Sequence, residues 1–175
     1  MIYAGIGSRE TPASVLHDMR HIAYQLARMN WILRSGGAPG ADTAFENGCN
    51  HAGGTKEIYI PWHGFQGRRG AESGVVVAAE QPNFPDALKL ASNFHPAWDR
   101  CKQGARALHA RNGYQILGKS LTQKADCVIC WTRNASGTGG TGQALRIAKH
   151  FNIPIFDLGN PAAYDGLELF IESRT

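Results

Sequence analysis

The chain contains few charged residues and no long hydrophobic run. Asp, Glu, Lys and Arg make up 18% of the 175 residues, against 43% hydrophobic residues, a balance typical of folded rather than disordered proteins. No apolar run approaches the roughly 18 residues that a membrane-spanning helix needs. We therefore expect one folded domain, residues 1–175, without a membrane partner.

Signals for secretion and for a disulfide framework are also missing. Residues 1–5 contain neither the basic segment nor the apolar run of a signal peptide. The four cysteines have no framework spacing, and a chain of this length can form a core without disulfides. These absences predict a reduced, cytoplasmic protein.

Two short patterns associated with redox chemistry or metal binding are incomplete. Cys127 and Cys130 have redox-motif spacing, but they lie on a predicted strand and so point to opposite faces. His17 and His21 lie one helical turn apart, without the glutamate that completes the zinc-protease pattern. The sequence therefore predicts no metal and no cofactor.

Short apolar runs alternate with segments of helical periodicity along most of the chain. The strand candidates are residues 2–5, 31–34, 57–60, 127–131 and 154–157. This alternation predicts an α/β fold: a Rossmann-like, doubly wound, mostly parallel sheet of about five strands with helices on both faces. Residues 62–85 are predicted to form a long loop. Residues 87–124 are predicted to form a helical insertion before the fourth strand, with short helices at 87–94, 98–111 and 114–124.

Three glycine-rich segments follow predicted strands. The first glycine loop is residues 5–9 (Gly-Ile-Gly-Ser-Arg), the second is residues 35–42 (Ser-Gly-Gly-Ala-Pro-Gly-Ala-Asp) and the third is residues 136–143 (Ser-Gly-Thr-Gly-Gly-Thr-Gly-Gln). The carboxyl ends of parallel strands meet at one edge of a sheet, and glycine lets backbone N–H groups approach a phosphate closely. The net charge of +4 also favours an anionic ligand. The sequence therefore predicts a crevice for a phosphate or ribose.

The glycine loops depart from the two commonest nucleotide motifs. The first loop lacks the third glycine of the dinucleotide fingerprint, and no lysine follows the glycine runs as it does in a Walker A motif. These departures disfavour hydride transfer and nucleoside triphosphate hydrolysis.

The first glycine loop, the second glycine loop and residues 139–141 (Gly-Gly-Thr) resemble the SLOG superfamily. That superfamily includes the DprA-like DNA-processing proteins, the LOG-type cytokinin-activating hydrolases and the YspA/YpsA-like proteins. Residues 109–112 and 128–132 look like small stand-alone members, many of them carried by bacteriophages. The resemblance covers nearly the whole chain and implies a Rossmann-like sheet, a nucleotide-type ligand and self-association as a homodimer or higher homo-oligomer.

Together, the loops and the resemblance define a set of candidate binding residues. We expect backbone amides of the three loops to hold phosphates, Arg9 and Arg111 to neutralise them, Asp42 to fix ribose or loop amides, and Trp62 or Trp131 to stack on the base. The full set is Gly7, Ser8, Arg9, Gly36, Gly37, Ala38, Asp42, Trp62, Arg111, Asn112, Trp131, Thr132, Gly139, Gly140 and Thr141.

One departure from the superfamily bears on catalysis. The LOG-type hydrolases carry a Pro-Gly-Gly-x-Gly-Thr-x-x-Glu run whose glutamate helps to cleave an N-glycosidic bond, whereas residues 139–144 contain no acid. An oxocarbenium-like transition state then loses its obvious stabiliser. This favours binding over hydrolysis and assigns no catalytic residue, although Glu10, Asp42 or Glu72 could substitute from another loop.

Three functions follow from these observations. The first is capture of a nucleotide-derived small molecule; in a phage-encoded member acting in the host cytoplasm, this would be an immune signal of cyclic-nucleotide or ADP-ribose type, held without turnover. The second is N-glycosidic hydrolysis of a nucleotide or ADP-ribose derivative. The third is DprA-like binding of single-stranded DNA, which requires a basic groove with stacking aromatics.

Overall fold

All strands of the central sheet run parallel to their neighbours in the computed structural model, which describes residues 1–174. The strands are β1 (Ile2–Gly5), β2 (Ile32–Ser35), β3 (Lys56–Ile60), β4 (Val75–Val77), β5 (Cys127–Cys130) and β6 (Ile155–Asp157), in the spatial order β4-β3-β2-β1-β5-β6. The α-helices are α1 (Ala13–Arg28), α2 (Ala41–His51), α3 (Phe84–Asn93), α4 (Gln103–Leu117), α5 (Gly139–His150) and α6 (Ala162–Glu172). The predicted Rossmann-like α/β fold is confirmed, with six strands rather than about five.

The additional strand, β4, lies inside residues 62–85, which the sequence predicted as a loop. Its three consecutive valines are β-branched residues suited to a pleated strand, and Val75 and Val77 are buried. They pair with Ile58 and Ile60 of β3. Sequence periodicity missed this strand because three residues are too few to show alternation and glycines and prolines surround them.

The helical segment before β5 contains one long helix where the sequence predicted two short ones. Helix α4 runs from Gln103 to Leu117, so the predicted boundary at 111 and the predicted helix at 114–124 are wrong. Gly118 follows the last residue of the helix, and its φ of 69° is a conformation that favours glycine. A Cβ at Gly118 would also lie 2.6 Å from a guanidinium nitrogen of Arg34, so a side chain is excluded there.

Arg34 of β2 ties the return from α4 to the sheet. Its side chain is fully buried; Nε donates to Glu57 Oε2 at 2.7 Å, while Nη1 and Nη2 donate to the backbone and side-chain oxygens of Gln123 at 2.6 and 2.8 Å. The Tyr59 hydroxyl donates to the same Glu57 oxygen at 2.8 Å. A buried guanidinium is tolerated only when its charge is paired and its donors are satisfied.

The core has one layer on each face of the sheet. Helices α1, α2 and α6 pack on one face, and α3, α4 and α5 on the other. Cys127 belongs to the first layer and Cys130 to the second, so the expectation of opposite faces is confirmed. Within residues 1–174, no helix combines the length and apolarity needed to span a bilayer.

Strand order reverses at β1. From β1 the sheet grows through β2 to β4 on one side and through β5 and β6 on the other. In open α/β sheets, the carboxyl ends of the two strands at such a point flank a crevice. The loops after β1 and β5 are the first and third glycine loops.

Removing the carboxylate that pairs with Arg34 tests the role of this ion pair. We expect Glu57→Ala to lower the free energy of unfolding by about 3 kcal/mol in urea denaturation, because a buried guanidinium loses its counter-charge. Glu168→Ala, at an exposed position of α6, serves as the control and should change it by less than about 0.5 kcal/mol. Equal effects of the two substitutions would contradict this role for Glu57.

Candidate functional site

The first glycine loop is packed tightly against its neighbours. A Cβ at Gly7 would lie 2.7 Å from Ala41 Cβ and 3.2 Å from the backbone nitrogen of Trp131. A Cβ at Gly40, where φ is 87°, would lie 2.8 Å from the carbonyl oxygen of Ser8. Glycine is therefore required at both positions by close backbone approach, and the end of β1 is held between the start of α2 and the end of β5.

A cavity of about 510 Å³ opens beside this contact, a volume within the usual range for small-molecule sites. Its walls are the first glycine loop, the start of α2, one side of α4 and the start of α5. The lining includes the predicted residues Gly7, Ser8, Arg9, Ala38, Asp42, Arg111, Asn112, Gly139, Gly140 and Thr141.

The remaining predicted residues lie outside this lining. Gly37 borders a neighbouring groove, and Gly36 lies beneath Arg111. Trp131 is buried beside Gly7. Trp62 is 38% exposed and packs edge-on against Phe65. Thr132 hydrogen-bonds to Asp157. Among the described residues, no tryptophan lines the cavity, so the stacking role predicted for Trp62 or Trp131 has no support from this geometry.

The Arg111 side chain contacts other residues of this protein. Its Nη1 donates to the Gly36 carbonyl at 2.6 Å and lies 3.6 Å from Asp42 Oδ2, and the guanidinium carbon is 5.9 Å from the centre of the Phe65 ring. Burial lowers the pKa of Arg111, with the nearby Asp42 carboxylate opposing the shift. Nη1 thus holds the second glycine loop, whereas Nε is buried without a protein partner among the described residues. The phosphate contact of Arg111 stays a prediction.

Asp42 is the buried carboxyl group of the cavity. Its Oδ2 accepts a hydrogen bond from the Ala38 N–H at 3.2 Å. Burial raises the pKa of Asp42 to about 6, and the Arg111 charge opposes this rise. The group can accept hydrogen bonds from ribose hydroxyls, and at neutral pH it carries a negative charge held in place by the second glycine loop.

The other candidate carboxylates are less suited to catalysis. Glu10 lines the cavity, but its side chain is 70% exposed. Its Oε2 accepts a hydrogen bond from the exposed Arg133 at 2.9 Å. Glu72 lies on a surface loop outside the cavity, where it accepts hydrogen bonds from Arg68 and the Arg69 backbone. Of the three substitutes named from the sequence, Asp42 alone is both buried and in the lining.

Helix α4 contributes a polar wall whose extent the sequence did not reveal. The Asn112 amide donates to Gln143 Oε1 of α5 at 2.9 Å and to the Gly140 carbonyl at 3.4 Å. Gln143 Nε2 and His109 Nδ1 are buried without hydrogen-bond partners in the described chain. Burial, reinforced by the nearby His95, lowers the pKa of His109 to about 4, so this imidazole is neutral at pH 7.

The spacing of residues along α4 could have indicated this wall. Cavity-lining residues recur there at intervals of three and four, on a helix whose last turns are buried on all sides: Ala105, Leu108, His109, Arg111, Asn112 and Gln115. A polar Arg-Asn-x-x-Gln run inside a fully buried stretch indicates a functional surface or a paired polar network. The wrongly placed helix boundary at 111 concealed this pattern.

The third glycine loop is anchored by Thr132 and Asp157. Asp157 Oδ1 accepts from the Thr132 N–H at 2.9 Å, the Thr132 hydroxyl donates to Asp157 Oδ2, and the Gly137 N–H donates to that hydroxyl oxygen at 2.9 Å. Apart from the adjoining residues and the backbone of the same helix, no atom of residues 1–174 lies within 4 Å of a Cβ placed at Gly139 or Gly140. The start of the 12-residue helix α5, with its partial positive charge, therefore has open space in front of it.

Comparisons with known proteins add evidence on the fold. No protein-family model and no curated protein matches the chain. A solved structure described as DNA processing protein A from Helicobacter pylori, with a "unique single-stranded DNA binding mode", matches with a TM-score of 0.55 at 18% identity over 90% of this chain and 64% of that protein. The molybdenum cofactor carrier protein from Chlamydomonas reinhardtii matches with a TM-score of 0.42 at 17% identity, over 96% of this chain and 97% of that one.

The first likeness shows a shared fold. At 18% identity, the match shows that this chain and the DprA protein share the Rossmann-like architecture. This chain covers less than two thirds of that protein's length. It agrees with the DprA-like fold implied by the sequence resemblance.

The raised pKa of Asp42 makes stability depend on pH in a defined window. Below about pH 4 the carboxyl is protonated in both folded and unfolded chains; between about pH 4 and 6 the unfolded chain releases the proton first. The stabilisation contributed by the protonated buried group is therefore lost as pH rises to about 6. Asp42→Asn removes this titration but keeps an acceptor for the Ala38 N–H.

Urea unfolding of both proteins from pH 3.5 to 8 measures the effect. Relative to Asp42→Asn, the wild type should lose on the order of 1–3 kcal/mol of unfolding free energy between about pH 4 and 6, and no more above pH 7. A difference that stays constant over the whole range would show that Asp42 titrates normally.

Proposed function

We propose that the protein binds a nucleotide-type small molecule, carrying phosphate and ribose, in the cavity between the first glycine loop and α5. The observation that carries this proposal is the convergence of glycine-rich turns and a helix N-terminus on one cavity of about 510 Å³. Backbone amides and a helix N-terminus form an anion site without further help. Arg9 in the lining adds positive charge.

The lining divides into regions of different chemistry. The start of α5 at Gly139, Gly140 and Thr141 suits phosphate oxygens because it is open and carries partial positive charge. Asp42 would repel phosphate and suits ribose hydroxyls instead. Asn112, held by its hydrogen bond to the buried Gln143 behind the lining, offers an amide group for the polar edge of a base.

We infer capture rather than turnover. The first turns of α5, residues 139–146, carry no acid, and Asp42 is engaged by the Ala38 N–H and by Arg111. A ligand of cyclic-nucleotide or ADP-ribose type, and a phage protein that sequesters such an immune signal, are the finer forms of this proposal. They rest on the sequence resemblance alone, as does the homo-oligomeric state. The cytoplasmic location rests on the sequence signals described above, and both remain predictions.

A methyl group placed at Gly140 tests the phosphate site without disturbing the fold. Because that Cβ would meet no atom of the described residues within 4 Å beyond its chain neighbours and its own helix backbone, Gly140→Ala should leave the melting temperature unchanged or slightly higher. It should weaken the binding of AMP, ADP-ribose or a cyclic dinucleotide, whichever binds the wild type, by roughly tenfold or more in calorimetry. Chromatography of the incubated ligand then distinguishes capture, which returns it intact, from hydrolysis, which releases the free base.

Gly104→Ala is the matched control. Gly104 also lies in the first turn of a helix, its Cβ would make only ordinary contact with Trp62 at 3.9 Å, and it is outside the cavity lining. This variant should bind like the wild type. Full affinity in Gly140→Ala, or no binding of any of these nucleotides by the wild type, would overturn the proposed site.

Binding of single-stranded DNA is the second candidate, and Trp62 is the observation that favours it. This indole is 38% exposed on the loop that follows β3, and exposed aromatics at such an edge stack on unpaired bases. The DprA protein of shared fold is described as binding single-stranded DNA.

A labelled oligothymidylate measures this second function by fluorescence anisotropy. If DNA binds here, its affinity should fall steeply with salt, and Trp62→Ala should weaken it by about 1–3 kcal/mol while leaving nucleotide binding unchanged. Salt-independent binding, or equal affinity of Trp62→Ala, would exclude a stacking platform at this position.

A further inference from the structure

Three metal-ligating side chains meet where the connection between α3 and α4 folds back on α4. His95 and Cys101 lie on that connection and His109 on α4, and one ligand atom from each lies within 4.8 Å of the others. Cys101 Sγ is 3.7 Å from His95 Nδ1 and 3.8 Å from Nε2, and the two imidazole rings are 4.3 Å apart between centroids. Residues 14 apart in sequence are thus brought into one cluster.

The separation of Cys101 and His95 is close to that of a tetrahedral zinc site. Zinc binds thiolate sulfur at about 2.3 Å and imidazole nitrogen at about 2.0–2.1 Å, which puts sulfur and nitrogen about 3.6 Å apart and two nitrogens about 3.4 Å apart in a tetrahedron. The sulfur–nitrogen distance of 3.7 Å is close to the first value. All three ligand atoms lie within 4.8 Å of one another, so the His109 donor needs to move by about 1 Å at most to reach the spacing of such a site.

Two of the three donors are not strongly engaged elsewhere. His109 Nδ1 is buried and has no hydrogen-bond partner in the described chain, and the Cys101 thiol makes only a weak 3.5 Å contact with the Ala97 carbonyl. His95 Nδ1 accepts a long hydrogen bond from the Ala97 N–H at 3.2 Å, which a bound cation would replace. A bound cation would give the orphaned imidazole nitrogen a partner.

We propose that His95, Cys101 and His109 form a binding site for a zinc-type divalent cation. Thiolate with two imidazoles is a donor set for zinc and neighbouring transition metals, whereas Mg²⁺ and Ca²⁺ require oxygen ligands. Three protein ligands leave the fourth tetrahedral position to water or to an incoming ligand. This site was not predicted from the sequence, where the His-x5-Cys-x7-His spacing matches no common zinc motif.

The site has a consequence for the neighbouring cavity. His109 belongs both to the cluster and to the cavity lining, whereas His95 and Cys101 lie outside that lining. A metal ion would therefore fasten the α3–α4 connection to the polar wall of α4. The proposal stands independently of nucleotide binding, because its ligands and its test do not require the nucleotide.

Titration of the untagged, metal-free full chain with Co²⁺ and Zn²⁺ tests the site. Co²⁺ should produce a thiolate-to-cobalt charge-transfer absorption and the intense visible bands of tetrahedral coordination. Zn²⁺ should displace it, bind with 1:1 stoichiometry in native mass spectrometry and raise the melting temperature. In Cys101→Ser the charge-transfer band should disappear and zinc affinity should fall by roughly tenfold or more.

His109→Gln should weaken zinc binding to a similar extent, while circular dichroism without metal checks that both variants fold. His21→Gln is the matched control: it removes an imidazole from a separate groove lined by other histidines and should leave the cobalt spectrum unchanged. Absence of the charge-transfer band in the wild type, its persistence in Cys101→Ser, or its loss in His21→Gln would overturn the proposal. Nucleotide affinity of the same proteins, measured with and without zinc, tests the proposed nucleotide cavity separately.

Discussion

Close backbone packing at the end of β1 is the constraint on which the candidate site depends. Gly7 lets the first glycine loop touch both Ala41 and the backbone of Trp131, and Gly40 lets the second loop touch Ser8. These contacts draw together the ends of β1, β2 and β5 on either side of the point where strand order reverses. The cavity exists because side chains are missing at these contacts.

Helix α4 closes this cavity and imposes its electrostatics. It carries Arg111 into the interior, where the guanidinium fastens the Gly36 carbonyl and lies beside Asp42. The two charges limit the desolvation cost of each other, yet burial still raises the pKa of Asp42 and lowers that of Arg111. The arrangement positions a carboxyl group and leaves the α5 N-terminus as the open anion-binding feature.

Three buried polar atoms without hydrogen-bond partners in residues 1–174 lie near the cavity. Arg111 Nε and His109 Nδ1 belong to lining residues, and Gln143 Nε2 lies behind the lining residue Asn112. Unsatisfied buried polar atoms are costly. Tyr3 Oη and Arg106 Nε are likewise unpartnered within residues 1–174, outside the lining.

The sequence by itself determined the fold class and the sheet edge at which the glycine loops lie, because alternating apolar and helical periods impose a parallel sheet and glycine runs after strands mark its carboxyl ends. It could not reveal β4, because a strand of three valines is too short to show a period. It also could not reveal that α4 continues past residue 111. Tertiary structure alone decided which side chains meet: Arg111 contacts the Gly36 carbonyl, Trp131 is buried, and His95, Cys101 and His109 lie together. Such meetings depend on how helices pack across the sheet, and that packing is set by contacts between residues far apart in sequence.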